Sequence, residues 1–166
     1  MGEVYEAGFR PAWWLPGPHL QTLWPLLRPR PRLALRRERV ELDDGDFIDL
    51  EIGPGDGPSV VVIHGLEGGL DSHYAATTLV ALATAGFRPI FMYLRGCSGE
   101  PNRLARAYHS GASDDLAAVL AHLAGSPDGP ALAAVGFSLG GNLLLKYLGE
   151  TAEPRPTAMA PAPPKN

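Results

Sequence analysis

Residues 59–63 read Ser-Val-Val-Val-Ile, an unbroken β-branched run whose side chains alternate between the two faces of a strand. A strand apolar on both faces has to be covered on both, which is the situation of a central strand in a parallel sheet. The patterns that follow agree. Residues 71–86 turn helical, with Ser72 placed to cap, Ala75, Leu79, Leu82 and Ala83 sharing a side, and Gly86 as a left-handed stop. Residues 88–94 return to a strand pattern. Ser113 is placed to cap the next helix, and Asp114 and Asp115 fall in its first turn, near the positive end of the dipole. Leu116, Val119, Leu120 and Leu123 then recur at the spacing of one buried stripe. Residues 132–135 form another expected strand, and residues 139–148 a helix ended by Gly149. Strand alternating with helix implies right-handed crossovers, so the expected fold class is α/β with a mostly parallel sheet.

Upstream, residues 39–42 and 47–52 alternate apolar and polar positions across Asp43-Asp44-Gly45-Asp46, and Asp-Gly is a strong hairpin signal. An N-terminal β-hairpin is therefore expected to precede the crossovers. Residues 9–25 hold all three tryptophans and four prolines, which reads as an irregular aromatic arm. Such an arm is either a lip facing lipid or substrate, or a segment packed over the domain's own surface. Six arginines between Arg28 and Arg39 read as a solvated connector. From Thr151 on, five prolines fall in 16 residues with neither strand nor helix pattern, and that tail is expected to be disordered. The expected organisation is an arm over 1–35, a partial domain over 36–150 and a tail over 151–166.

Composition sets limits on function. Apolar residues make up 45% of the 166, enough for a packed core. A net charge of -4 gives no overall attraction to nucleic acid. Cys97 is the single cysteine, so no internal disulfide forms and a reducing compartment, the cytoplasm, is expected. No apolar run approaches the roughly 18 residues of a membrane span, and the first nine residues lack a signal peptide's pattern. Contact with a membrane surface through the arm stays open.

Gly136-Phe137-Ser138-Leu139-Gly140 fits the G-x-S-x-G pattern, directly after an apolar strand and at the opening of a helix. A nucleophile elbow needs that context, because a serine in strained backbone requires small neighbours on both sides. A glycine-rich turn with Ser138 merely capping the helix is the alternative. Acyl transfer also needs donors for a developing oxyanion. The loop His64-Gly65-Leu66-Glu67-Gly68-Gly69 follows the first central strand, so the backbone N–H groups of Leu66 and Leu139 are the candidate donors. Phosphate binding fits poorly, since no G-x-G-x-x-G and no Lys-Ser or Lys-Thr pair accompanies the glycines.

Several blocks in order resemble the N-terminal half of the YheT-like branch of the α/β-hydrolases. They are Pro11-Ala12-Trp13-Trp14 through His19-Leu20-Gln21-Thr22, the His64–Gly68 loop followed by Ser72-His73-Tyr74, Arg95-Gly96-Cys97-Ser98-Gly99, and Gly136 through Asn142. The resemblance implies an incomplete α/β-hydrolase fold and hydrolysis of a small carboxylic ester, short-chain or lipid-like. A Ser, Asp and His triad would do this with no cofactor and no metal.

In that fold the acid and histidine follow the serine in chain order. After Ser138 the acids are Glu150 and Glu153, and no histidine occurs. His19, His64, His73, His109 and His122 all precede it. Of these His64 is nearest on paper as a substitute base, although in the family pattern it shapes the oxyanion loop. The reading is a serine carboxylesterase in truncated or frameshifted form. The rivals are an inactive fragment, or half of a split enzyme whose exposed sheet edge pairs with another chain.

Overall fold

The computed structural model describes residues 8, 10–151 and, as backbone, 157–158. They divide into two compact units, one ending at Arg30 and the other beginning at Pro31. The first contains helix α1, Pro18–Leu27. Within the expected irregular arm, Pro18–Leu27 is thus helical. Pro18 occupies the first helical turn, where its fixed φ helps and its missing N–H is not needed. Pro25 is tolerated inside the helix, while Thr22 Oγ1 donates to Pro18 O at 2.8 Å. None of the ten α1 residues is buried, and Leu20, Leu23, Trp24, Leu26 and Leu27 are exposed.

The second unit is built on a sheet of strands β1 (Arg36–Glu41), β2 (Phe47–Ile52), β3 (Ser59–Ile63), β4 (Arg88–Met92), β5 (Ala131–Gly136) and β6 (Thr157–Ala158). Their order across the sheet is β1-β2-β4-β3-β5-β6. β1, β2 and β4 pair antiparallel, while β4, β3, β5 and β6 run parallel. Helix α2 (Ala75–Thr84) connects β3 to β4, α3 (Ser113–Ala124) connects β4 to β5, and α4 (Leu139–Glu150) follows β5. The hairpin followed by parallel crossovers is the expected α/β arrangement. β3 lies at the centre, with Val60 to Ile63 fully buried. Its alternation serves both faces: Val61 and Ile63 join the core with Leu116, Leu123 and Leu143, whereas Val62 joins Phe91, Ala75 and Leu79.

Several local expectations need correction. β1 begins at Arg36, so three of the six arginines assigned to a connector belong to an edge strand. There Arg37 faces Glu51 and Arg39 faces Asp49 in direct cross-strand register, and each pair is a salt bridge. Ser72 does not cap α2, since Tyr74 holds that position and Ser72 Oγ accepts the Gly69 N–H instead. Ser113 is already inside α3, and its hydroxyl donates to Glu150 at 2.6 Å. α4 runs through Gly149 to Glu150, with Thr151 as its C-cap. His122 Nε2, on the face of α3 away from the buried stripe, lies 2.6 Å from a Glu38 oxygen. β6 sits beside Ala133 and Ala134, so the tail contains a short strand that covers part of the β5 edge. Residues 152–156 and 159–166, the rest of the tail expected to be disordered, lie outside the described residues. Among the described residues no helix is long and apolar enough to cross a membrane.

Arg95, just past β4, anchors the loops at one end of the sheet. Its guanidinium holds Asp115 with two bonds of 2.8 and 2.7 Å and reaches Asp46 at 2.8 Å and Asp44 at 2.9 Å. Asp46 also accepts from the side chain of Asn102 and from the N–H groups of Phe47 and Arg103. One buried cluster therefore ties the hairpin turn, the start of α3 and the long loop of residues 95–112 together.

Candidate active site

β3 and β5 are adjacent parallel strands whose C-terminal ends, Ile63 and Gly136, lie side by side. The loop after β3 and the turn into α4 therefore meet. This is the carboxyl end of the parallel strands, where α/β proteins place their ligands. Phe137 donates its N–H to Ile63 O at 3.0 Å, which fastens the turn to β3.

Ser138 occupies that turn with φ 51 and ψ -113, a left-handed conformation costly for a residue with a side chain. Among the described residues the only other non-glycine with positive φ is Glu67, φ 49, in the facing loop. Strain is thus confined to the two segments that meet. Contacts around the serine explain its glycines. A Cβ on Gly140 would stand 2.5 Å from His64 O and 2.6 Å from Ile63 O, and one on Gly136 would stand 2.5 Å from Gly140 O. Gly65 lies against the serine itself, since its Cβ would approach Ser138 Cβ to 3.2 Å. Only a chain bare at these positions brings helix, strand and loop so close. Ser138 is exposed, and among the described residues its hydroxyl has no hydrogen-bond partner.

The loop after β3 is held from below by His64, which is fully buried. Leu94 N–H donates to His64 Nε2 at 3.0 Å, and a backbone N–H can only donate, so the ring proton resides on Nδ1. Nδ1 then donates to Gly65 O at 2.6 Å. Burial lowers the pKa of His64, against the opposing effect of the Gly65 carbonyl, which keeps the ring neutral. With both nitrogens committed to backbone, His64 is a loop-shaping residue and has no lone pair left for a general base. Gly65 N–H is taken by Tyr74 Oη at 3.0 Å and Glu67 N–H by Tyr108 Oη at 2.7 Å. Leu66 N–H and Leu139 N–H, the two expected donors, have no acceptor among the described residues. Leu139 opens α4, so its N–H is one of the unpaired donors at a helix N-terminus.

The other histidines are placed elsewhere. His19 lies in α1, His109 Nδ1 accepts the Gly111 N–H, His122 meets Glu38, and His73 packs edge-on against Tyr74. Glu150 is occupied by Lys146 and Ser113. Cys97 is half-buried, and burial pushes its thiol pKa up, so it remains a protonated thiol at neutral pH. A cleft of about 480 Å³ beside the loop is lined by Glu67, Gly69, Cys97 and Tyr108 among others, but not by Ser138. Among the described residues no cluster of His, Cys, Asp and Glu is arranged to hold a metal. The bracing role of the two tyrosines was not legible because each hydroxyl meets a backbone N–H across a turn of the chain, nine and 41 residues from its partner.

A family model described as the alpha/beta hydrolase fold matches residues 58–160. YheT of Escherichia coli (strain K12), which carries an esterase name, is 41% identical over 148 residues, covering 86% of this chain and 44% of that protein. Human Phospholipase ABHD3 is 29% identical over 168 residues, covering 95% of this chain and 41% of its own length. The chain therefore spans less than half the length of these relatives. Among solved structures, the α/β hydrolase GrgF from Penicillium superposes with a TM-score of 0.63 at 15% identity, covering 72% of this chain and 43% of that one. The Pyrococcus furiosus esterase Pf2001 gives 0.60 at 16% identity, covering 71% and 47%. At such identities these structures speak for the fold alone. With strand order, elbow and family match in agreement, the chain belongs to the α/β-hydrolase family and resembles its YheT-like branch over the N-terminal half.

Proposed function

We propose that the chain carries the nucleophile and oxyanion hole of a serine ester hydrolase acting on a small carboxylic ester. Ser138 Oγ attacks the ester carbonyl, and the N–H groups of Leu66 and Leu139 receive the charge that develops on its oxygen. The observation that carries the reading is the strained, exposed Ser138, seated against Gly65 with two unclaimed N–H groups on the adjoining segments. Such donors contribute to rate because they are fixed before reaction, each worth about 2.7–4 kcal/mol in a complete site. Relatives named as esterase and phospholipase support a short-chain or lipid-like acyl group. The general base and its acid are supplied by a part of the fold beyond the span shared with those relatives. No described residue engages the Ser138 hydroxyl, and this favours a second reading in which the chain is the inactive half of a divided hydrolase.

Hydrolysis of p-nitrophenyl acetate by the 166-residue chain and by Ser138→Ala separates these readings. An acyl-enzyme burst in the wild type is expected, with release falling about tenfold or more in Ser138→Ala; with no base engaged, the loss is smaller than for a full triad. Equal rates from the two proteins would sink the enzymatic reading for this chain.

A further inference from the structure

The loop between Gly65 and Glu67 offers three consecutive backbone N–H groups, and an oxyanion hole needs one of them at a fixed angle. The outer two are claimed. Tyr74, the N-cap residue of α2, accepts from Gly65 at 3.0 Å, while Tyr108, from the loop before α3, accepts from Glu67 at 2.7 Å. Each tyrosine is itself held in place. The Tyr74 ring stacks on Phe137 of the elbow, with centroids 4.1 Å apart and planes 22° apart. The Tyr108 ring stands edge-on to His64, with centroids 6.4 Å apart. Burial raises the Tyr108 pKa and keeps the phenol protonated at neutral pH.

From this bracket, and resting on the function proposed above, we infer that Tyr74 and Tyr108 are positioning residues that brace the oxyanion loop from both sides and leave Leu66 N–H as the one donor of residues 65–67 unclaimed among the described residues. Tyr74 does so while packed on the residue that precedes Ser138, so the same ring sets the loop against the elbow. Tyr108 holds Glu67 in its positive-φ conformation, which a non-glycine residue does not adopt without support. Neither residue touches the reacting atoms.

The test uses the full chain as wild type, Tyr74→Phe and Tyr108→Phe, each checked for an unchanged melting temperature. Amide exchange by NMR is expected to accelerate several-fold to about tenfold at Gly65 in the first variant and at Glu67 in the second, with a displaced Leu66 resonance in both. In p-nitrophenyl acetate turnover, kcat is expected to fall about tenfold with KM changed less than about twofold, the signature of support given only in the transition state. Wild-type exchange at Gly65 and Glu67 in both variants, or wild-type kcat where Ser138→Ala is impaired, overturns the inference. If turnover does not depend on Ser138, the functional reading fails and the exchange rates still decide the brace.

Discussion

Replacing Arg95 by leucine is expected to cost about 3–5 kcal/mol of folding stability, because it leaves buried carboxylates without their cation. Arg95 and Asp46 are 4% and 0% exposed, and Asp115 is 3% exposed, so solvent cannot take over the role of the guanidinium. That loss is a large share of the roughly 5–15 kcal/mol that holds a domain folded. It would also release the loop of residues 95–112, which Asn102 and Arg103 tie to Asp46 and which carries Tyr108. The same cluster predicts an acid limit. Burial by itself would raise the Asp46 pKa, but hydrogen bonds from Asn102, Arg103 N–H, Phe47 N–H and Arg95 together pull it below the usual carboxylate range. The Asp44 pKa is lowered too, chiefly by the Asp46 N–H. A carboxylate with a depressed folded pKa contributes stability above its unfolded value, near 4, and loses it as pH falls through the folded value. Urea midpoints at pH 7 and pH 3 are expected to differ for the wild type and to differ less for Arg95→Leu, which retains the other lowered carboxylates such as Asp49 and Glu38. A variant within about 1 kcal/mol of wild type at pH 7 would contradict the account of the cluster.

The second large effect is expected at Gly140. Alanine there puts a methyl group 2.5 Å from His64 O and 2.6 Å from Ile63 O, both backbone atoms of the β3 end. A clash with backbone is not relieved by a rotamer, so α4 has to move away from β3 at a cost of about 1–3 kcal/mol or more. The shift would carry Leu139 N–H with it, and Ser138-dependent turnover should fall further than stability. Gly149 in the same helix is the control, because nothing lies within 4 Å of its Cβ position. Alanine there is expected to be neutral or to stabilise by about 0.5–1 kcal/mol through backbone entropy. Thermal melts of the two variants check this, and similar melting temperatures would mean that the helix is not pressed against β3 as described.

Those two positions also show which parts of the molecule were legible in its sequence. β3 was readable because Val60 to Ile63 must satisfy two faces, and the α3 stripe because Leu116, Val119, Leu120 and Leu123 are all buried. The turn at Ser138 was readable because Gly136 and Gly140 flank the serine between an apolar strand and a helix, although the backbone that Gly140 makes room for, the β3 end, appears only in the fold. Features resting on distant partners were not. Ser72 and Ser113 have the composition of caps, but each hydroxyl is used otherwise, one closing the turn at Gly69 and the other meeting Glu150 37 residues on. α1 was obscured by its prolines, where Pro18 starts a helix and does not prevent one. Arg36, Arg37 and Arg39 look like a solvated charge run until the register sets Arg37 and Arg39 opposite Glu51 and Asp49. Tyr108 has no sequence mark and Tyr74 is marked only as part of the Ser72-His73-Tyr74 block, since the bracing role of both exists only once their hydroxyls converge on Gly65 and Glu67.

The central claim is that Ser138 is the nucleophile of this chain, and covalent trapping reads that directly. The chain is incubated with an excess of diisopropyl fluorophosphate, in which serine oxygen displaces fluoride at phosphorus and water takes up the released proton. Intact mass and peptide mapping then locate the adduct. A single phosphoryl group on the peptide containing Gly136-Phe137-Ser138-Leu139-Gly140, absent from Ser138→Ala and slower to form in Gly140→Ala, is the predicted result. No adduct at Ser138 under conditions that label other serines of the chain would contradict it.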